Sequence, residues 1–410
     1  MIQHLEEITK SLRGDQMPDW FNDSRARGLS RFNELGIPTV RDEDWKYTNL
    51  LPLSKNPFEI TRENTLIERE ALENYCNGNE VNIVLINGVF STELSRLSNI
   101  PSGITVSTLH DAVTNNAPDI RELLTQYHED DNAAFTALNQ ALSGPGTFIQ
   151  IHDQATPQPL VHIVHVTSST HKNTASMPRT LIAARKSSEA TILESHVAFN
   201  DSLVYFSNAL TDIFLAENAT LHYCKSQKES LKAFHIGRTR VWQERDSNFD
   251  GFSFMAGGKL TRNNLDIILN AEGANASLNA LYSAYNDQHV DNHTSIDHRV
   301  ANCASKQLYK GILNNKARGV FNGKVLVKPA AQKTNSYQLN KNLLLGGDCR
   351  IDTKPQLEIF ADDVKCAHGA TIGQLDENEM FYLQTRGIPK KAARKILARG
   401  FVEDLFNTIK

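Results

Sequence analysis

The sequence predicts a mainly β fold, a β-helix core held between two helical ends. Two observations carry this. First, from about residue 147 to 353 short runs alternate apolar and polar residues, among them 148–153, 160–167, 190–197, 219–226, 251–256 and 276–283. Strict alternation marks a strand with one buried face. Second, the starts of these runs echo one another. Ser188-Glu189-Ala190 is followed by Glu217-Asn218-Ala219, Ser247-Asn248-Phe249, Gly273-Ala274-Asn275 and Cys303-Ala304-Ser305, roughly 26 to 30 residues apart, a solenoid-like period. Each rung of a solenoid buries its apolar face only by stacking on the next. Alternation alone also allows a β-sandwich with turns every ~8 to 12 residues.

Taken in order, residues 1–142 read as a mainly helical N-terminal domain. Leu5, Ile8 and Leu12 recur at helical spacing, and a second helix is expected over 17–35, stopped by Gly36 ahead of Pro38. Residues 81–90 read as a strand turning at Asn87-Gly88, and 133–142 as a helix ended by Ser143-Gly144-Pro145-Gly146. That breaker opens the core, assigned to 143–353. Residues 354–410 turn helical again. Asp376 and Glu379 have the spacing of a capping box, Gly387 ends that helix, and Pro389 suits the first turn of the next. Ala393, Ile396, Leu397, Gly400 and Phe401 give the last helix an apolar stripe, so the end reads as an αα-hairpin.

Composition narrows function. The chain has 410 residues, 40% of them hydrophobic, and a net charge of −4. That supports a large core and gives no basic excess for a nucleic-acid partner. No run approaches a membrane span, and the start of the chain lacks the pattern of a secretory signal, so a cytoplasmic protein is expected. The five cysteines, Cys76, Cys224, Cys303, Cys349 and Cys366, are widely spaced and form no C-x-x-C. Neither a disulfide framework nor a self-contained zinc or ferredoxin site follows. Gly257-Gly258-Lys259 lacks the rest of a phosphate loop, and none of G-x-G-x-x-G, H-E-x-x-H or G-x-S-x-G occurs. Many active sites carry no such motif, so this absence only lowers the expectation of an enzyme.

Three groups of residues remain. Cys366 and His368 are two apart in an extended stretch, which puts thiol and imidazole on one face, ~6 to 7 Å apart. Such a pair can hold iron or a cluster edge; a buried small Cys beside an ordinary His has the same spacing. His289, Asp291, His293 and Asp297 share strand parity, as a metal or acid–base face would, and as a solvated strand face does. Finally, Arg386, Lys390, Lys391, Arg394, Lys395 and Arg399 occur in 386–400 with no acid among them. They form a basic face for an anionic partner or simply for solvent.

These same residues lie in a stretch that resembles the SufB/SufD family of iron–sulfur cluster assembly proteins. The likeness runs through 331–345 (AQKTNSYQLNKNLLL), 353–388 (TKPQLEIFADDVKCAHGATIGQLDENEMFYLQTRGI) and 390–401 (KKAARKILARGF). Residues 307–311 and 318–324 look like the family's last β-helix rungs. Asp44-Trp45-Lys46-Tyr47-Thr48 and Asn87-Gly88-Val89-Phe90 look like the N-terminal region of its SufD branch, as does Ala367-His368-Gly369-Ala370, where SufB-type chains carry a Glu-His-Glu-Ala-type segment.

The resemblance implies a right-handed parallel β-helix flanked by N- and C-terminal helical domains, in a non-catalytic scaffold subunit. It implies pairing with SufB through the β-helices and binding of the ATPase SufC by the C-terminal helices. An open β-helix edge favours a homodimer when the chain is isolated, and homodimer against monomer is left open. A transient iron–sulfur cluster would assemble at the SufB–SufD interface, with His368 contributing and Cys366 close by. Arg386, Lys390, Lys391, Arg394, Lys395 and Arg399 become candidate SufC contacts. Whether a flavin joins the complex is left open. Two other readings of the residues stand beside this one: a purely structural adaptor without cluster ligands, and a β-helix carbohydrate lyase using His289, Asp291 and Asp297.

Overall fold

The computed structural model describes residues 5, 7–8, 12, 17–60, 67–73, 75–76, 81–98, 100–117, 119–125, 133–144, 146–156, 160–168 and 173–408. The first expected helix, through Leu5, Ile8 and Leu12, falls largely outside them. No helix among the described residues is long and apolar enough to cross a membrane.

Consecutive strands of the core alternate between two sheets. In sheet I, Arg179–Ala184, Tyr205–Leu215, Phe234–Gln243, Leu260–Leu269, His289–His298, Arg318–Val327 and Arg350–Ile359 stack in parallel. In sheet II, Val161–Thr167, Glu189–Ala198, Thr220–Glu229, Asn248–Gly257, Asn275–Ala284, Ala304–Leu313, Asn335–Leu344 and Lys365–Gly373 do the same. Each rung is one strand from each sheet, so the fold is a β-solenoid and the sandwich alternative is excluded. Ile213, Val241, Ile267 and Ile296 from sheet I interleave with Leu221, Phe249, Ala276 and Leu278 from sheet II to make the apolar half of its interior.

The sequence echo has a physical cause at the corner from sheet I to sheet II. Ser187, Asn218, Asp246, Gly273, Asn302 and Lys333 each adopt positive φ there. Each is followed by a small buried residue: Ser188, Ala219, Ser247, Ala274, Cys303 and Thr334. A left-handed residue turns the chain, and a small one fits inside the bend before the next strand starts. At Gly273 the space is fully used, since a Cβ would lie 2.0 Å from Asp246 Oδ1. Cys303 therefore fills a packing position rather than a ligand position.

The domain limits differ from those expected. The solenoid does not stop at 353: the strands Arg350–Ile359 and Lys365–Gly373 form one more rung, and the C-terminal helices begin only at Glu377. The terminal rung has no neighbour to cover it, so most of its residues stay at least partly exposed and no apolar alternation is needed. At the other end, Val81–Ile86 joins sheet II beside Val161–Thr167, and Ile104–Thr108 joins sheet I beside Thr147–Ile151, so the sheets start within residues 1–142.

The helix Asp19–Leu35 packs on Ala134–Ala141 over sheet I. Gly28 allows their close approach, for a Cβ there would sit 2.9 Å from Ala137 O. At the C-terminus, Asp376 caps Glu377–Thr385 by accepting from Asn378 N and Glu379 N, at 2.7 and 3.1 Å. The following helix, Lys390–Phe406, buries Val402 and Leu405 against Phe252 and Leu281 on the outside of sheet II. Lys310 Nζ fastens it, donating to Phe401 O at 2.6 Å and Asp404 Oδ1 at 2.5 Å.

His298, fully buried beside Ser305 Oγ at 2.9 Å, makes stability depend on pH. Burial lowers its pKa from 6.5 to about 4. The unfolded chain thus binds a proton that the folded one refuses between those values. The stabilisation is complete above the unfolded pKa and is lost as pH falls toward 4. At pH 5 the loss is about 2 kcal/mol. Urea unfolding at pH 7 and pH 5 should show that His298→Asn removes this part of the pH dependence. An unchanged pH slope would assign the acid sensitivity to other groups.

Candidate functional site: the open end of the solenoid

The last rung ends both sheets, so each of its strands is paired on one side only. In a parallel ladder the backbone groups of successive residues point alternately to the two sides. Lys365 N donates to Thr334 O at 2.8 Å, toward the solenoid. The N–H and C=O of Cys366, His368, Ala370 and Ile372 therefore point outward. On the other strand Arg350 N and Phe360 N bond inward, at 3.0 and 2.9 Å, which turns Ile351, Thr353, Pro355, Leu357 and Ile359 outward. Pro355 has no N–H to offer, which suits an edge. The end is otherwise an open row of donors and acceptors, ready to pair with another chain.

Side chains alternate as well. Ser336, Gln338 and Asn340 face the interior and are buried, and Cys366, His368 and Ala370 stand on them in register. The expected common face of Cys366 and His368 is thus present, and it is the lumen face at the solenoid's mouth. The two residues differ there. His368 is exposed. Cys366 is half-buried and packs with Val325, Val327, Ala331 and Ala361. Burial pushes its thiol pKa up, away from the thiolate that binds metal. Imidazole is presented and sulfur is withheld.

Directly behind His368 lies a residue that sequence reasoning missed. Gln338 is fully buried, and neither its Nε2 nor its Oε1 has a hydrogen-bond partner; Gln307 Nε2, one rung deeper, also has none. Buried amides without partners are rare in folded proteins and mark places that demand explanation. Its only sequence signal was a glutamine recurring at an inward position of consecutive sheet II strands.

The basic residues take up separate positions. Arg386, Lys390, Lys391, Lys395 and Arg399 are exposed, beside exposed Phe381, Tyr382 and Ile396. Arg394 is partly buried, and its Nη2 donates to Leu345 O at 2.5 Å, fixing the helix to the solenoid.

The His289 group is not the solvated strand face that the bland reading expected. Asp291 is 1% exposed. Its Oδ2 accepts from Thr48 Oγ1 at 2.5 Å and Arg262 Nη1 at 2.9 Å, and its Oδ1 lies 3.0 Å from His293 Nε2. Thr48 Oγ1 also meets His289 Nε2 at 2.8 Å. Burial opposes the charge, yet His293 and Arg262 hold the Asp291 carboxyl well below its usual range. The Arg262 guanidinium lies 3.8 Å from the Trp45 ring centre and donates to Asp44 O at 2.6 Å. The group is an anchor that ties residues 44–48 to sheet I, at the edge of a cleft of about 370 Å³. Asp291 is thus engaged within the protein and is not free to serve the lyase reading.

The chain matches two family models, the SufBD protein N-terminal region over residues 2–162 and the SufBD core domain of the SUF iron–sulfur cluster assembly system over residues 165–401. It is 34% identical to an iron–sulfur cluster assembly SufBD family protein of Synechocystis, covering 99% of this chain and 93% of that one. It is 33% identical to the iron–sulfur cluster assembly protein SufD of Escherichia coli, over 93% and 88% of the two chains, and 29% identical to a chloroplastic protein of Arabidopsis thaliana, over 89% and 77%. A β-solenoid whose terminal rung presents a histidine, matched end to end by these models, belongs to the SufBD family of iron–sulfur cluster assembly proteins.

Proposed function

We propose that this chain is the SufD-type scaffold subunit of a cluster-assembly complex and that His368 is a ligand-bearing residue at its interface with a SufB-type partner. One observation carries this reading: His368 stands exposed on the lumen face of a rung whose outer backbone groups point away from the solenoid. A partner pairing with that edge brings its own side chains beside the imidazole. Imidazole is a good ligand for iron, and the nascent cluster is cargo, released after assembly. Cys366, half-buried and with its thiol pKa raised, supports the rung rather than the cargo. Alone, a second copy of the chain would compete for the same edge.

The C-terminal hairpin would dock an ATPase of the SufC type. Arg386, Lys390, Lys391, Lys395 and Arg399 offer charge, and Phe381, Tyr382 and Ile396 offer exposed apolar surface, the mixture that partner surfaces use. Because Lys310 and the Val402–Leu405 contact bind the last helix to sheet II, a pull on the hairpin reaches strands two to four rungs from the mouth.

The test is iron and acid-labile sulfide in the complex co-expressed with SufB- and SufC-type subunits and purified without oxygen. His368→Ala should leave the complex assembled and lower both about tenfold, the size of effect seen when supporting metal-site groups are lost. Equal iron and sulfide in wild type and variant would make the chain an architectural adaptor.

A further inference from the structure

Deep in the lumen, well away from the mouth, three side chains converge. His165 lies on Val161–Thr167, and Glu194 and His196 lie on the adjacent strand Glu189–Ala198, with His165 and His196 in register. They are 5%, 1% and 2% exposed. His165 Nε2 is 2.9 Å and His196 Nε2 3.4 Å from the same atom, Glu194 Oε1, and one donor atom from each residue falls within 4.8 Å of the others. We propose that His165, Glu194 and His196 bind one divalent transition-metal ion, zinc or iron(II), as a resident ion inside the solenoid.

The spacing fits. Metal–ligand bonds of ~2.0–2.2 Å at tetrahedral angles separate donor atoms by about 3.3 Å. Two imidazoles and a carboxylate suit borderline divalent ions. Both rings close on Glu194. Its carboxylate is already oriented, accepting from Thr211 Oγ1 at 3.1 and 3.0 Å and from Tyr223 OH, the kind of outer support metal ligands receive.

One feature shows what the ion would supply. His196 Nε2 is buried, and its 3.4 Å approach to Glu194 Oε1 makes no hydrogen bond, so a metal bond would satisfy it. The imidazoles of His165 and His196 stack at 4.5 Å, with 11° between their planes. To share an ion the His196 ring must tilt toward Glu194, and its Nε2 has no hydrogen bond to break.

The experiment uses the full chain, expressed in medium with cobalt(II), dialysed against a chelator and read by metal analysis and by the ligand-field bands of tetrahedral cobalt. Wild type should retain about one equivalent, as should Cys366→Ser and His368→Ala, which keeps this site separable from the one at the mouth. His196→Gln and Glu194→Gln should each lose it. Folding of each variant is checked by circular dichroism, and either folded variant alone reads the ligand set. Wild type without bound cobalt, or a folded His196→Gln chain that keeps it, would overturn the assignment.

Discussion

Asp212→Ala should destabilise the chain by about 3–5 kcal/mol, the loss expected when one partner of a buried ion pair is removed. Asp212 is fully buried on Tyr205–Leu215. Arg240 holds both its oxygens, Nε to Oδ1 at 2.6 Å and Nη2 to Oδ2 at 3.0 Å, and Arg179 Nη2 donates to Oδ2 as well. The two arginines are 2% and 3% exposed. Alanine would leave two guanidiniums converging on one another in a dry site, with Coulomb repulsion where there had been attraction. Asp212→Asn keeps an acceptor of nearly the same shape and should cost less. Arg179 also lines the seam beneath Phe21, Ser24, Arg25 and Ser143, so the N-terminal helices should loosen from sheet I at the same time. Urea unfolding followed by circular dichroism, with limited proteolysis of residues 17–35, measures both effects. An alanine variant within about 1 kcal/mol of wild type would mean that the pair merely breaks even against its desolvation.

The sequence revealed the solenoid because its repeat is written in a few stereochemically constrained positions. Asn218, Asp246, Gly273 and Asn302 turn the corners, and Ala219, Ser247, Ala274 and Cys303 fill them. Those positions tolerate few residue types, so they recur visibly. The lumen was not legible. On Thr220–Glu229 the inward residues include Tyr223, Lys225, Gln227 and Glu229, all buried. Alternation finds the strand but assumes that the polar face meets water. The same assumption hid Glu194 and His196, placed Asp291 in solvent, and left Gln338 unnoticed behind His368. The terminal rung was misread for the opposite reason. With one side uncovered, Arg350–Ile359 and Lys365–Gly373 need no apolar alternation, and the solenoid seemed to end one rung early. His368 and the basic helix entered through the family resemblance. Spacing by itself did not separate His368 from an ordinary histidine, and only the register onto Gln338 shows which way it faces.

The open edge gives the second large effect. Ala370→Pro should leave the isolated chain close to wild-type stability and weaken its pairing with a SufB-type partner about 100-fold. The N–H of Ala370 points outward from Lys365–Gly373, so its loss breaks no bond within the solenoid, and proline is tolerated in edge strands for that reason. The preceding Gly369 is already in a strand, the conformation that a following proline favours. Across an interface the same change removes a backbone donor and leaves the partner's carbonyl buried without one. A lost hydrogen bond of ~1 kcal/mol plus an unsatisfied group of ~1–3 kcal/mol amounts to about two powers of ten in affinity. Thr371→Pro is the matched control. Its N–H faces Asn335–Leu344, so it should destabilise the chain itself. Co-purification and titration with the partner separate the two cases. A partner that binds Ala370→Pro as tightly as wild type would show that assembly does not proceed by strand pairing at this rung, and would remove the pairing on which the role proposed for His368 rests.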